Sequence, residues 1–343
     1  MTQTRDLAGA FTDLGRWAEG TSPLYAHLCR RVAEDDELLN LAATVPESRE
    51  PAHLLLAAVQ YCLAEDDAHP LADYYPSLTA DPTPPDEECV ERFRAYCLTN
   101  RDRLEPLLSE RRTQTNAVGR CAALYPAISH VARQVDGPLA LVELGPSAGL
   151  NLLFDRYEYS ANGDTLGGDG PPTIRISVRS GDPPLPRDPP AIHSRVGIDL
   201  HPLDVTDADD RAWLRALVWP EQTDRHRLLD GALATARADP PDLLAGDMVE
   251  ALPDVLADIP ADVPVCVFDT LVLYQVPASV REAVTDLLED AAGSRALHWV
   301  AGEGMAGDHD GIAVEWTRGT DTGVETDRLG RFEPHGAWID WDG

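Results

Sequence analysis

Apolar residues recur in two rhythms along this chain, and the change falls near residue 136. Through the first 135 residues they return every three or four positions, the spacing of one helix face. Ser22-Pro23 reads as an N-cap with proline at the first helical position, opening a helix through Glu34. Pro51 opens another, with Leu54, Leu55, Ala58, Tyr61 and Cys62 on its apolar face. Asp81-Pro82-Thr83-Pro84-Pro85-Asp86 breaks the pattern, and a helix follows through Val90, Phe93 and Cys97. Val118, Cys121, Leu124, Ile128, Val131 and Val135 predict a last helix starting near Thr113.

Past Asp136-Gly137-Pro138, short apolar runs bounded by Gly, Pro and Asp alternate with helical spacing. Strands are predicted at Leu139–Leu144, Arg195–Ile198, Leu243–Ala245, Val263–Phe268 and Ala296–Ala301. Helices are predicted from Gly149, from Asp207 to Ala238, and from Pro277 to Ala292. Ile312–Thr317 and Gly336–Trp341 read as a closing antiparallel pair around Gly323. This alternation implies an α/β fold, a parallel sheet with helices on both faces. Residues 160–194 interrupt it with a Pro/Gly-rich insertion around the alternating run Thr173–Val178, expected to be a hairpin with loops and a candidate lid. The expected organisation is thus an N-terminal all-helical domain over 1–135 and an α/β domain over 136–343.

Composition narrows the class. Of 343 residues, 43% are hydrophobic and 25% charged, enough to bury a core. No apolar run reaches the roughly 18 residues of a membrane span, and the start Met1–Asp6 lacks the basic flank and apolar core of a signal peptide. The expectation is a soluble, cytoplasmic protein with no membrane partner. Net charge is −31, and all 28 basic residues are Arg. An acidic, lysine-free surface suits a protein working in concentrated salt, a halophilic and archaeal character, because salt screens the repulsion between carboxylates. The six cysteines form no CxxC pair and the His show no HExxH, so neither a disulfide framework nor a metal site is expected.

The chemistry concentrates in Leu141-Val142-Glu143-Leu144-Gly145-Pro146-Ser147-Ala148-Gly149-Leu150-Asn151, just after the first predicted strand. In open parallel sheets, ligands bind beyond the carboxyl ends of the strands, where strand order reverses. Gly145, Pro146, Ser147 and Gly149 form a turn in which the backbone can approach a ligand. Glu143 stands where a carboxylate can reach a ligand amine. Asp199 ends the second strand, where it can take both ribose hydroxyls, and Asp247 ends the third, where it can accept from an adenine amino group. Three strand-end carboxylates in this order suit a neutral or cationic adenosine ligand.

This pattern resembles the Rossmann-like S-adenosylmethionine-dependent methyltransferases, whose first-strand motif reads E-x-G-x-G-x-G, with an acidic residue ending the second strand and an Asp ending the third. Here Ser147 replaces the middle glycine. The resemblance covers 136–343 and implies a methyltransferase-type sheet (parallel strands plus a C-terminal antiparallel pair), S-adenosylmethionine as cofactor and a small-molecule acceptor. The whole chain is more similar still to an uncharacterised prokaryotic family known only as a domain of unknown function. That likeness is carried by Gln114–Cys121, Glu143–Tyr159, Gly197–Val205, Trp213-Leu214, Ala216–Gln222 and His335–Trp338.

The resemblance also directs attention to residues near the crevice. Asn116 and Arg120 open the helix leading into the first strand, which in methyltransferases tends to border the cofactor. Asn151, Asp155 and Tyr157 follow the glycine turn at spacings that share one helix face, and Asp155 or Tyr157 would be the base if the acceptor must lose a proton. Trp219-Pro220-Glu221-Gln222 interrupts the long helix, so Trp219 plugs the gap or walls a substrate. Asp269 and Tyr274 follow the fourth strand, where methyl acceptors are contacted. With no basic patch and no Asn/Asp-Pro-Pro-aromatic motif after that strand, nucleic acid is an unlikely substrate. A binding module that kept the fold, or another Rossmann-like enzyme, is the alternative reading. The helical domain and the 160–194 insertion are expected to roof the crevice, and the oligomeric state is left open.

The charge pattern makes one prediction independent of any site. Far-UV circular dichroism across a KCl series should show cooperative structure lost well below molar salt, and a fold unchanged in dilute buffer contradicts the halophilic reading.

Overall fold

In the computed structural model, which describes residues 6–66, 68–304 and 311–343, several helices begin at a residue whose side chain accepts from the free N–H groups of the first turn. The helices are α1 (Leu7–Ala18), α2 (Pro23–Val32), α3 (Asp36–Ala42), α4 (Pro51–Glu65), α5 (Glu87–Thr99), α6 (Arg101–Glu110), α7 (Cys121–Ala132), α8 (Ala208–Ala216), α9 (Thr223–Ala238), α10 (Met248–Asp258) and α11 (Ala278–Ala292). The strands are β1 (Leu139–Leu144), β2 (Tyr157–Ala161), β3 (Asp164–Gly167), β4 (Gly170–Arg175), β5 (Val178–Ser180), β6 (Ile192–Asp199), β7 (Asp242–Ala245), β8 (Val265–Thr270), β9 (Leu297–Glu303), β10 (Ile312–Thr320), β11 (Gly323–Phe332) and β12 (Ile339–Trp341).

The chain divides into two compact units, Met1–Thr115 with Asp207–Arg227, and Asn116–Thr206 with Leu228–Gly343. The division therefore falls ahead of the change of rhythm at 136, and the segment around α8 belongs with the first unit. In that unit Asp6, Ser22, Asp35 and Asp86 cap α1, α2, α3 and α5 through their side chains. Its core buries Phe11, Leu28, Leu54, Leu55, Phe93 and the four cysteines Cys29, Cys62, Cys89 and Cys97. Pro220 ends helical continuity between α8 and α9, and Gln60 satisfies the carbonyls left over, donating to Ala216 at 3.0 Å and Val218 at 2.8 Å. Trp219 fills the same junction, its ring edge-on to Trp17 at 4.9 Å and beside Tyr25 at 5.9 Å.

The second unit is an α/β layer around a nine-stranded sheet in the order β5-β12-β11-β10-β9-β8-β1-β6-β7. Strands β9, β8, β1, β6 and β7 are parallel neighbours, and β10 and β11 continue the sheet antiparallel. β1 is buried at all six positions, which is why it reads as an unbroken apolar run. Ala140, Val142 and Leu144 pack with α10 and α11 residues such as Leu252 and Leu288. The alternate positions, Glu143 among them, therefore face the other side of the sheet.

Three elements differ from expectation, each for a local reason. The helix expected from Gly149 is only a 3-10 segment, Asn151–Arg156, kinked at Leu153 and followed by β2. Tyr157 donates its hydroxyl to the Leu150 carbonyl at 2.7 Å and Tyr159 to that of Phe154 at 2.6 Å, occupying oxygens that a helix would have used. The closing pair is β10 with β11 across the two-residue turn Asp321-Thr322, while Gly336–Trp341 supplies only the short β12. β11 was hidden because Gly323–Arg328 is exposed and largely polar. The last N-terminal helix starts as a 3-10 turn at Val118–Arg120, and α7 proper is Cys121–Ala132.

The insertion is built into the unit. β2 and β3 form a hairpin, β4 pairs parallel to β2, and β5 joins the main sheet beside β12. Asp340 fixes that edge, accepting from Ser180 Oγ at 3.0 Å, from Arg331 Nε at 3.0 Å and from both Arg179 nitrogens. These donors hold its carboxyl well below the usual carboxylate range.

Candidate functional site

β1 lies where the strand order reverses: the chain fills β6 and β7 on one side of it, then β8 and β9 on the other. The turn that leaves β1 uses three left-handed residues, Gly145 at φ 64°, Ser147 at φ 57° and Gly149 at φ 71°. At Gly145 a Cβ would meet Val272 Cγ1 at 2.6 Å, and at Gly149 it would meet Pro241 Cγ at 2.7 Å, so both glycines are required by packing as well as by conformation. Ser147 carries a side chain in the left-handed region, at a cost of about 1 kcal/mol or more. Neighbours hold it there: its N–H donates to Asp199 Oδ2 at 2.9 Å, and its carbonyl accepts from Leu203 N at 3.0 Å.

Asp199 thus shapes the turn from the end of β6. Its other oxygen, Oδ1, accepts from the His201 N–H at 2.8 Å. Asp247 caps α10 through Val249 N at 2.8 Å. No α-helix follows the glycine turn, only the kinked 3-10 segment Asn151–Arg156, so the expected ligand contact with an α-helix N-terminus has no element to make it.

Behind the turn is a buried polar cluster. Glu143 is 2% exposed; its Oε1 receives a long 3.5 Å contact from Asn151 Nδ2, and among the described residues its Oε2 has no hydrogen-bond partner. Burial pushes its carboxyl up to about 8, Asp199 pushes the same way, and Asn151, Arg120 and the Leu152 N–H only partly oppose them. Asn151 also accepts from the Cys121 thiol at 3.4 Å. Asn116 accepts from Leu150 N at 3.0 Å, tying the segment before α7 to the end of the turn. Arg120 donates from Nε to the Pro334 carbonyl at 3.0 Å and from Nη1 to the Thr270 carbonyl at 2.8 Å. Asn116, Arg120, Glu143, Asn151 and Asp199 are therefore brought together, with the turn residues Gly145, Pro146, Ser147 and Gly149.

Other expected residues go elsewhere. Asp155 and Tyr157 do not share a helix face: Asp155 pairs with Arg195 at 2.9 Å, and Tyr157 starts β2 with its hydroxyl spent on Leu150. Burial raises the titration of both above the ordinary range. Trp219 is in the core of the first unit, filling the gap between α8 and α9. Asp269 stands in register with Leu144, so it projects from the face opposite Glu143. It accepts from Trp299 Nε1 at 2.6 Å, its Oδ2 has no hydrogen-bond partner among the described residues, and burial beside Glu303 raises its titration well above its ordinary value. Tyr274 is exposed just beyond, on the 3-10 turn Leu273–Gln275. Two residues escaped the sequence reading. Thr270 anchors Arg120, and Glu303 accepts from the N–H groups of Val272, Leu273 and Tyr274 at 2.7–3.0 Å. That cap exists only because Leu271 turns left-handed at φ 56°, which no periodicity announces.

Among the described residues no His, Cys, Asp and Glu group is placed to hold a metal, and no helix is long and apolar enough to cross a membrane. A family model described as an uncharacterized protein conserved in bacteria, DUF2332, matches residues 8–341. No curated protein and no solved structure matches the chain.

The state of Glu143 sets a stability test. An acid whose titration is raised by folding costs nothing below its ordinary value of 4.5 and costs progressively more as pH rises towards 8. Glu143→Gln should therefore stabilise the fold by about 1–3 kcal/mol at pH 8 and leave it nearly unchanged at pH 4, read from denaturant melts. Equal effects at both pH values contradict the buried acid.

Proposed function

The chain belongs to the DUF2332 family, and for it we propose S-adenosylmethionine-dependent methyl transfer to a small-molecule acceptor. The observation that carries this reading is the buried, incompletely bonded Glu143 carboxyl at the end of the central strand, beside a left-handed turn held by Asp199. A carboxyl left short of donors in a dry site suits a ligand that brings an ammonium group. The Asp199 carboxylate at the end of β6 suits ribose hydroxyls, and Asp247 at the end of β7 suits an exocyclic amine. Glu143, Asp199 and Asp247 are all acidic, which suits a ligand with cationic sulfur and nitrogen.

The cofactor would supply an activated methyl group on a sulfonium centre. The residues contribute binding and orientation: Glu143 with Asn151 holds the amine, and Asp199 holds the ribose while bracing the Ser147 turn. Transfer then depends on in-line placement of the acceptor and on exclusion of water. Asp155 and Tyr157 are engaged by Arg195 and Leu150 and contribute no free base. That engagement favours acceptors that need no deprotonation, and it equally favours the second reading, a binding module without turnover.

Calorimetry in molar KCl tests the assignment. S-adenosylmethionine and S-adenosylhomocysteine should both bind the wild type, and Glu143→Gln should weaken both by roughly 10–100-fold. Absence of wild-type binding, or equal binding by the variant, removes the reading. Label transferred from methyl-labelled cofactor into a small-molecule extract separates methyl transfer from the binding module.

A further inference from the structure

Arg120 is held in an unusual way for a half-buried cation. Among the described residues its hydrogen bonds go to neutral acceptors: the Pro334 carbonyl, the Thr270 carbonyl and, at 3.3 Å, the Thr270 hydroxyl. Among the described residues no carboxylate oxygen lies within 4.0 Å of its guanidinium nitrogens. By contrast, Arg195 has Asp155 and Arg179 has Asp340. The fold nevertheless invests in this position. Gly119 and Gly336 pack backbone to backbone, so closely that a Cβ on Gly119 would lie 2.1 Å from the His335 carbonyl oxygen. Glu333 braces the facing turn by accepting from His335 N at 2.9 Å and Ala337 N at 3.1 Å. Two segments singled out in the sequence, Gln114–Cys121 and His335–Trp338, thus meet at a contact that aims Arg120.

Arg120 and Glu143 lie on the same side of the sheet. Phe268 is the register partner of Glu143, and Thr270, to which Arg120 is tied, shares the face of Phe268. The residue after Arg120, Cys121, reaches Asn151, which reaches Glu143. A cation without a contacting counter-ion and an acid without a full set of donors are therefore held close but apart. Separate desolvation of both charges is costly, and the pair is satisfied by a ligand that carries both opposite charges. An α-amino acid group does so on one carbon.

Building on the proposed cofactor, we propose that Arg120 receives the carboxylate of the ligand's α-amino-acid end while Glu143 receives its ammonium, so that this pair selects ligands with an intact amino-acid tail. Arg120 is then a specificity-determining residue with no part in the chemical step.

Calorimetric titration with S-adenosylhomocysteine and with 5′-methylthioadenosine, which lacks the amino-acid end, tests this without turnover. The wild type should prefer the first by roughly 10-fold or more. Arg120→Met should weaken S-adenosylhomocysteine by roughly 10–100-fold while leaving 5′-methylthioadenosine unchanged, which also shows that the variant is folded. Arg120→Lys, which keeps the charge without the fork, should fall between. Equal weakening of both nucleosides, or of neither, overturns the assignment. If the wild type binds neither nucleoside, the cofactor reading fails on its own, and L-methionine then probes the subsite. Saturable binding lost in Arg120→Met retains the zwitterion site, and no binding overturns it.

Discussion

Desolvation of the Glu143 carboxyl is the constraint on which the site depends. The carboxyl stands near the end of a strand buried at every position, and one of its oxygens has no partner among the described residues. A charge there would be expensive, and the group responds by keeping its proton up to about pH 8. A core selected for stability alone would place an apolar residue at this point. The acid, the asparagine that half-satisfies it and the arginine held just out of contact form a polar arrangement that a ligand can complete.

The turn beside it is a second site of strain, and the two are coupled through Asp199. Ser147 stays left-handed because Asp199 takes its N–H, and the same carboxylate contributes to the field that raises Glu143. Replacing Asp199 would therefore loosen the turn and change the acidity of the site together. Ser147 is held in this conformation through its own backbone N–H and carbonyl, which bond Asp199 and Leu203.

Much of the fold was legible because its causes are local. β1 was delimited to the residue since a parallel strand buried on both faces reads as one apolar run. The break at Trp219-Pro220 followed from proline chemistry. β11 was missed because its first six residues face solvent and carry no apolar rhythm. The α-helix expected from Gly149 does not form, because two tyrosine hydroxyls, set by the later course of the chain, take carbonyls it needed. Glu143 and Asp199 were singled out from strand-end position, and the structure sets both beside the turn. Asp269 was expected to follow the fourth strand and lies inside it instead, on the face opposite Glu143, which only register reveals. The setting of Arg120 depends on Pro334, more than two hundred residues away in sequence.

The most direct test follows the Glu143 proton itself. In protein labelled with carbon-13 at the glutamate carboxyls, the Glu143 signal is identified by its absence in Glu143→Gln. The account predicts a titration midpoint near 8 in the free protein and an ionised carboxylate at neutral pH once S-adenosylhomocysteine is bound. A midpoint near the ordinary 4.5, unmoved by the ligand, would contradict it.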